Sequence, residues 1–266
     1  MHLSKSEVKY LRSLSQKKVR AEEKKFLVEG WRAVTDALES SFRIDFAAMT
    51  PAFRENGEHR GILDKLEQAR IPQKEITEIE LNQICDTAHA QGIVALVHQR
   101  GQQFDEVLKK DAKLVVVADG VADPGNAGSI VRTSDWFGVD AILFGKGCVE
   151  LYNEKVVRST AGSIFHIPSV ENIDLPHALK ALKKKGFLVV STAADGGTSL
   201  DGFKPPERTA VIVGSEAQGI GREVRALSDV VLKIGRFGKA ESLNVGVACG
   251  IVLSHLKSVP GRPQNS

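Results

Sequence analysis

Three glycine-containing turns hold the residues of this 266-residue chain best suited to chemistry. The stretch "DPGNAGSIVR" sets Asn126 six residues before Arg132, "VGSEAQGIG" brackets Glu216 between Gly214 and Gly219, and "GRFGKAESLNVG" leads into Ser242, Leu243 and Asn244. An amide, a guanidinium, a carboxylate and a hydroxyl suit a ligand carrying hydroxyl, amine or charged groups. A guanidinium also forks two donors onto a phosphate, which orients as well as attracts. The glycines spell neither phosphate cradle. Gly-x-x-x-x-Gly-Lys-Ser/Thr is absent, and no Gly-x-Gly-x-x-Gly follows a strand with an acidic residue about 20 positions later, which sets a dehydrogenase aside. Each turn also has a plain structural reading. Asn126 suits a helix N-cap, Arg132 a solvated face, and Glu216 the first turn of a helix, where the macrodipole favours negative charge.

These turns need strands to carry them. "KLVVVADG", "DAILFG", "GFLVVSTAA", "TAVIVGSE" and "VVLKIG" are short apolar runs, each ending at Gly, Ser or Asp. Helical patterns separate several of them: "AGSIVRTSDWFG", "YNEKVVRSTAGS", "LPHALKALKKKG" and "GREVRALS". Such alternation predicts βαβ units and a parallel sheet covered on both faces. Ligands of such sheets sit at the carboxyl ends of the strands, where the three turns fall. On the first helix Ile130, Ser134 and Phe137 share a face that packs on the sheet, and Arg132 points the opposite way. The last helix, from Val245 to Leu256, is apolar nearly all round and is expected to be buried, in the core or against another subunit, with Ser242 as its cap.

The first half reads as a smaller mixed α/β unit. "FLVEGWRAVTDALES" starts apolar and turns helical, "RIDFAAMT" and "QGIVALVHQR" suit strands, and "GILDKLEQAR" and "ELNQICDTAH" suit helices. We expect residues 1–100 to form this unit, 101–112 a linker with one helical turn, 113–258 the second unit and 259–266 a disordered tail. The stretch "KSEVKYLRSLSQKKVRAEEKK" reads as a helix followed by a polar loop. It offers Lys17, Lys18 and Arg20 as phosphate contacts, or as a merely solvated basic face.

Composition sets the outer bounds. Hydrophobic residues make up 42%, charged residues 26%, and the net charge is +3. No apolar run approaches the ~20 residues of a membrane span, and the N-terminus lacks a secretory core. A cytoplasmic protein with no membrane partner is expected. Cys85, Cys148 and Cys249 form no disulfide framework or zinc-ligand spacing, and the histidines are scattered. No metal is expected.

Taken in order, "DPGNAGSIVRTSDWFG", "VIVGSEAQGI" and "ESLNVGVACGI", with "RSTAGSIFHIP" between the first two, resemble the signature motifs of the SpoU (TrmH-type) RNA ribose 2′-O-methyltransferases of the SPOUT superfamily. The resemblance spans Leu114 to Leu256 and continues more weakly through "FLVEGWRAV" and "AHAQGIVALV". It implies an α/β fold with a knotted, parallel-sheet C-terminal methyltransferase domain behind a smaller N-terminal substrate-binding domain. It also implies S-adenosylmethionine as methyl donor. By match to the motifs, Asn126, Arg132, Glu216, Ser242 and Asn244 take the polar catalytic positions. Thr192, Gly214, Gly219, Ile234 and Leu243 take the cofactor positions. A homodimer is implied, Arg132 serving a site built partly by the partner chain.

The implied substrate is RNA, ribosomal in preference to transfer RNA, and not DNA, because only ribose carries a 2′-hydroxyl. A non-catalytic RNA-binding protein that keeps the fold is the alternative. Two positions depart from the family pattern. Gly235 stands where proline commonly follows the isoleucine, and Gly246 where serine commonly follows the motif asparagine by two.

Overall fold

The computed structural model describes residues 2–85, 90–108 and 111–258. The expected tail, two residues of the expected linker and the end of the second N-terminal-half helix lie outside these. In chain order the elements are helices α1 (Lys5–Ser13) and α2 (Lys17–Glu23), β1 (Lys25–Glu29), α3 (Trp31–Glu39), β2 (Ile44–Met49), α4 (Pro51–Glu55) and α5 (Arg60–Gln68). There follow β3 (Gln73–Glu75), α6 (Glu78–Ile84), β4 (Ile93–His98), α7 (Phe104–Val107), β5 (Leu114–Asp119), α8 (Pro124–Trp136) and β6 (Ala141–Gly145). Next come α9 (Glu154–Thr160), β7 (Ser169–Ile173), α10 (Leu175–Lys184), β8 (Leu188–Ala193) and β9 (Thr198–Ser199). The chain closes with β10 (Thr209–Gly214), α11 (Arg222–Arg225), β11 (Val230–Lys233) and α12 (Val245–Ser258). Two compact units result, Met1–Arg100 with Tyr152–His166, and Gly101–Leu151 with Ile167–Ser266.

The first unit is built on a four-stranded sheet in the order β1-β4-β2-β3. Strand β4 runs antiparallel to both neighbours, and β2 pairs with β3 in parallel. Five of the six β4 residues are buried, which is why "QGIVALVHQR" does not alternate: a central strand covered on both faces needs apolar residues at every position. The segment Tyr152–His166, remote in sequence, joins this unit through rings. Phe26 lies 4.6 Å from Tyr152 and 6.3 Å from Phe165, and Phe165 meets Phe42 edge-on at 5.1 Å. The Tyr152 hydroxyl donates to the Arg100 carbonyl at 3.1 Å and accepts from the Arg100 N–H at 3.0 Å. Gly162, at φ +98°, lets the backbone pass Asp36 so closely that a Cβ would lie 1.8 Å from its carboxylate oxygen.

The basic N-terminal stretch is two helices rather than a helix and a loop. Ser4 and Glu7 form a reciprocal capping box at the start of α1. Arg20 corrects an expectation. It is 2% exposed, and its Nη1 donates to the Leu14 and Ser15 carbonyls at 2.7 Å each. It ties the α1–α2 turn together instead of facing a phosphate. Lys17 and Lys18 are exposed, Lys18 lying 3.9 Å from Glu22.

The second unit is a seven-stranded sheet, β7-β6-β5-β10-β8-β11-β9, with every neighbouring pair parallel. β5 and β10 are buried at all but the last position and β6 throughout. The expected linker adds Val107, Leu108 and Ala112 to this core, beside Leu143, Leu179 and Ile212. Because the strands are parallel and β10 lies between β5 and β8, the carboxyl ends of β5, β10, β8 and β11 stand side by side along one edge.

Helices α8 and α12 pack closely through small residues. A Cβ on Gly246 would lie 3.0 Å from the Ser129 Cβ and 3.2 Å from the Asn244 Oδ1, and one on Gly250 would lie 3.3 Å from Thr133 Cγ2. Gly235 has room, since a Cβ there meets nothing nearer than 3.6 Å. The departure at Gly246 is thus fixed by packing against Ser129, and the departure at Gly235 is not.

Two outcomes follow from this packing. Arg20→Met leaves the buried Leu14 carbonyl and the part-buried Ser15 carbonyl without this donor and should cost about 1–3 kcal/mol in urea unfolding. Gly246→Ser should destabilise by about 1–3 kcal/mol through overpacking, and adding Ser129→Gly should recover most of that loss.

Candidate active site

The three motif turns converge on one side-chain amide. Asn244 Nδ2 donates to Asn126 Oδ1 at 2.7 Å and to Glu216 Oε1 at 2.8 Å. Its Oδ1 accepts from the backbone N–H of Gly246 at 3.0 Å and of Val247 at 3.3 Å, and its carbonyl accepts from Ala248 N at 2.9 Å. Asn244 therefore caps α12, the role expected of Ser242, while binding the other two motifs. Ser242 is exposed in the loop before it.

Local sequence explains how each partner arrives. At α8 the N-cap is Asp123, not Asn126. The Asp123 carboxylate accepts from Asn126 N at 2.8 Å, and Pro124 opens the helix. Freed from capping, the Asn126 side chain reaches Asn244 from the first turn. Glu216 follows β10 in a loop that folds straight back: Gly219 N donates to the Ser215 carbonyl at 2.8 Å, and Gln218 N to Ser215 Oγ at 3.1 Å. A Cβ on Gly214 would lie 2.3 Å from the Gly219 carbonyl carbon and 2.5 Å from Ile220 N. What approaches Gly214 so closely is its own returning loop, which gives the glycine a packing reason. The turns after β5 and β10 are joined as well, since Asp119 accepts from Gly221 N at 2.7 Å.

The proposed cofactor residues sit along the same edge. Gly214 ends β10, Thr192 is the next-to-last residue of β8, and Ile234 follows β11, three strands adjacent in the order β10-β8-β11. Thr192 Oγ1 donates to the Ile212 carbonyl at 3.2 Å, which fixes its rotamer across the strand pair. Ile234 is half-buried and Leu243 is 45% exposed. Backbone at strand ends with two aliphatic side chains fits a flat heteroaromatic ligand carrying a sugar, held by main-chain groups.

Arg132 stands apart from the amide junction. Six residues beyond Asn126 on α8, it is displaced about 9 Å along the axis and turned by about 240°, and it is exposed. On the same helix Trp136 is 84% exposed, and on the adjoining α12 Val247 and Ile251 are 52% and 37% exposed. α12 is therefore buried on one side only, by Cys249, Val252, Leu253 and Leu256. Burial pushes the Cys85 and Cys249 thiols up to about 12 and raises that of Cys148, so none of the three offers a thiolate near neutral pH. Among the described residues no group of three or more His, Cys, Asp or Glu could hold a metal ion.

Comparison with known proteins agrees with this architecture. Residues 113–254 match the model of the SpoU rRNA Methylase family, and residues 5–95 match an MRM3-like substrate binding domain. The chain is 33% identical over 258 residues to the 23S rRNA (guanosine(2553)-2′-O)-methyltransferase RlmP of Bacillus subtilis, covering 94% of this chain and 95% of that protein. A TrmH-family RNA methyltransferase structure from Porphyromonas gingivalis superposes with a TM-score of 0.82 at 29% identity, covering 96% of this chain and 98% of the other. An AdoMet-bound rRNA methyltransferase from Sinorhizobium meliloti gives a TM-score of 0.82 at 25% identity, with 97% and 96% covered. With the three motifs gathered at one edge of a parallel sheet and the family model matched over more than half its length, the chain belongs to the SpoU rRNA Methylase family.

Proposed function

We propose that the protein is an S-adenosylmethionine-dependent RNA 2′-O-ribose methyltransferase that works as a homodimer on ribosomal RNA. The observation that carries this reading is the Asn244 junction, which holds Asn126 and Glu216 together from turns 118 and 28 residues away in the chain. A protein that had kept the fold for RNA binding alone would have no need of an assembled amide–amide–carboxylate cluster beside the strand ends. The ribosomal preference draws on the 23S rRNA methyltransferase relative and on the MRM3-like substrate domain. RNA rather than DNA follows from the 2′-hydroxyl that the reaction consumes. The reading includes the family's knot in the second unit and a cytoplasmic place of work. Among the described residues no helix is long and apolar enough to cross a membrane.

S-adenosylmethionine, when bound, supplies an electrophilic sulfonium methyl, so the chain's own task is alignment. Holding two reactants in attack geometry can contribute ~7–11 kcal/mol. Thr192, Gly214, Gly219, Ile234 and Leu243 would hold the donor. Asn126 spends its Oδ1 on Asn244, which leaves its amide N–H groups as the donors able to face the ribose. Glu216 spends Oε1 in the same way, which leaves Oε2 to accept from a hydroxyl. Arg132 orients the target phosphate and stabilises the developing alkoxide. Arginine stays charged in proteins, so it is not the proton acceptor.

Arg132 lies on a different face of α8 from Asn126, and the homodimer reconciles this. Trp136, Val247 and Ile251 form an exposed apolar strip on the paired helices that bear Arg132. A second copy seated on that strip would receive Arg132 into its own site. Exposed apolar groups of this kind on adjoining elements mark association surfaces.

Two measurements bear on this reading. Arg132→Ala should lower methyl transfer to ribosomal RNA by at least about a hundredfold, the scale of losing one charge-stabilising donor, while calorimetric affinity for S-adenosylmethionine stays within about twofold. Ile251→Asp should convert the dimer to monomer in light scattering and abolish transfer; an active monomer would refute the shared site.

A further inference from the structure

The first unit carries an aromatic and cationic stack that methyl transfer leaves unused. Phe53 of α4 is buried and locked in place, because Gly92 passes it so closely that a Cβ there would lie 2.9 Å from the Phe53 Cβ. The His59 imidazole lies flat on Phe53, with centroids 4.0 Å apart and planes 11° apart. Trp31, the first residue of α3, follows with its ring 6.0 Å from His59 and tilted by 44° to it rather than stacked flat, and the Arg32 guanidinium lies over the indole at 5.0 Å. The stack is anchored in the core at Phe53 and reaches water at Trp31, which is 37% exposed.

A lone exposed tryptophan on a protein surface needs no explanation. One held between a clamped imidazole and a guanidinium has the composition of a nucleobase platform. Unpaired bases of RNA are held by stacking on aromatic rings and on arginine planes, and every base offers a π face. Cations flank the stack in sequence: Arg54 follows Phe53 and is exposed, and Arg60 follows His59 and pairs with Asp64 at 3.0 Å. Exposed Glu55 and Glu58 share the stretch. That mixture suits one splayed base with a few phosphates better than the dense charge of a duplex.

We propose that Trp31, Arg32 and His59 form a stacking site for one unpaired base of the RNA substrate. The site rests on the reading of the protein as an RNA methyltransferase and adds to it a determinant of which RNA is chosen. Trp31 supplies the stacking face, Arg32 covers it until the base enters, and His59 on Phe53 fixes the indole's direction.

The chain contains two tryptophans, so the full-length Trp136→Phe protein reports Trp31 alone. Single-stranded oligoadenylate should quench that emission, whereas an abasic ribose-phosphate oligomer of equal length should not. Trp31→Leu should weaken oligoadenylate binding about tenfold with an unchanged salt slope, since no phosphate contact is lost, and Trp31→Phe should restore most of it. With ribosomal RNA the Leu variant should raise KM and leave the affinity for S-adenosylmethionine unchanged. Unquenched emission, equal quenching by the abasic oligomer, or an unaltered KM would overturn the stacking site. Transfer by the unmodified protein separates the two ideas: active enzyme with a silent Trp31 removes only the stack, and absence of transfer to any RNA removes the reading beneath it.

Discussion

The site depends on a single primary amide. Asn244 has two N–H groups and one oxygen with two lone pairs, and the structure uses both ends: Nδ2 for Asn126 and Glu216, Oδ1 for the first backbone donors of α12. A carboxylate in its place would still cap the helix but would repel Glu216. A serine would cap it but would not span to two partners. The helix start and the polar cluster are therefore one object, since the same side chain caps α12 and binds Asn126 and Glu216. The close fit of Gly246 against Ser129 and of Gly250 against Thr133 holds that helix in place.

The parallel sheet could be read from the sequence because its strands are buried on both faces and so appear as unbroken apolar runs. All five expected strands are present, and α8, α10 and α11 lie between them as the alternation implied, whereas α9 joins the first unit. What escaped was β7 and the two-residue β9, whose sequences carry polar residues at half or more of their positions. Strand order was also beyond reach, because nothing local states that β10 lies between β5 and β8. Hydrogen-bond register between distant segments decides that.

At the site, residue types were readable and their roles less so. Asn126 was expected to cap α8, but Asp123 precedes the helix proline and takes the cap, which frees the Asn126 amide. Ser242 was expected to cap α12, but Asn244 does so. Gly214, a cofactor position by resemblance, has the returning Gly219–Ile220 backbone as its close neighbour. For each cap the sequence offered two candidates for one role, and the hydrogen bonds of the folded chain chose between them. Arg20 shows the same limit from the other side. Its charge suggested a surface contact, yet two carbonyls of the preceding turn draw it inward. Nothing local pairs Trp31 with His59, since 28 residues separate them and only folding brings one ring beside the other.

The grouping of Tyr152–His166 with the first unit has a consequence for how this architecture can be altered. The peptide leaves the first unit after Arg100, comes back at Tyr152 and departs again after His166, so no single cleavage separates two self-sufficient pieces. Residues 1–100 made alone would leave the Phe26 ring without Tyr152 and Phe165 and would expose that apolar surface to aggregation. A graft that moves the first unit onto another methyltransferase must carry this fifteen-residue insert with it. The two halves are bound to be inherited together.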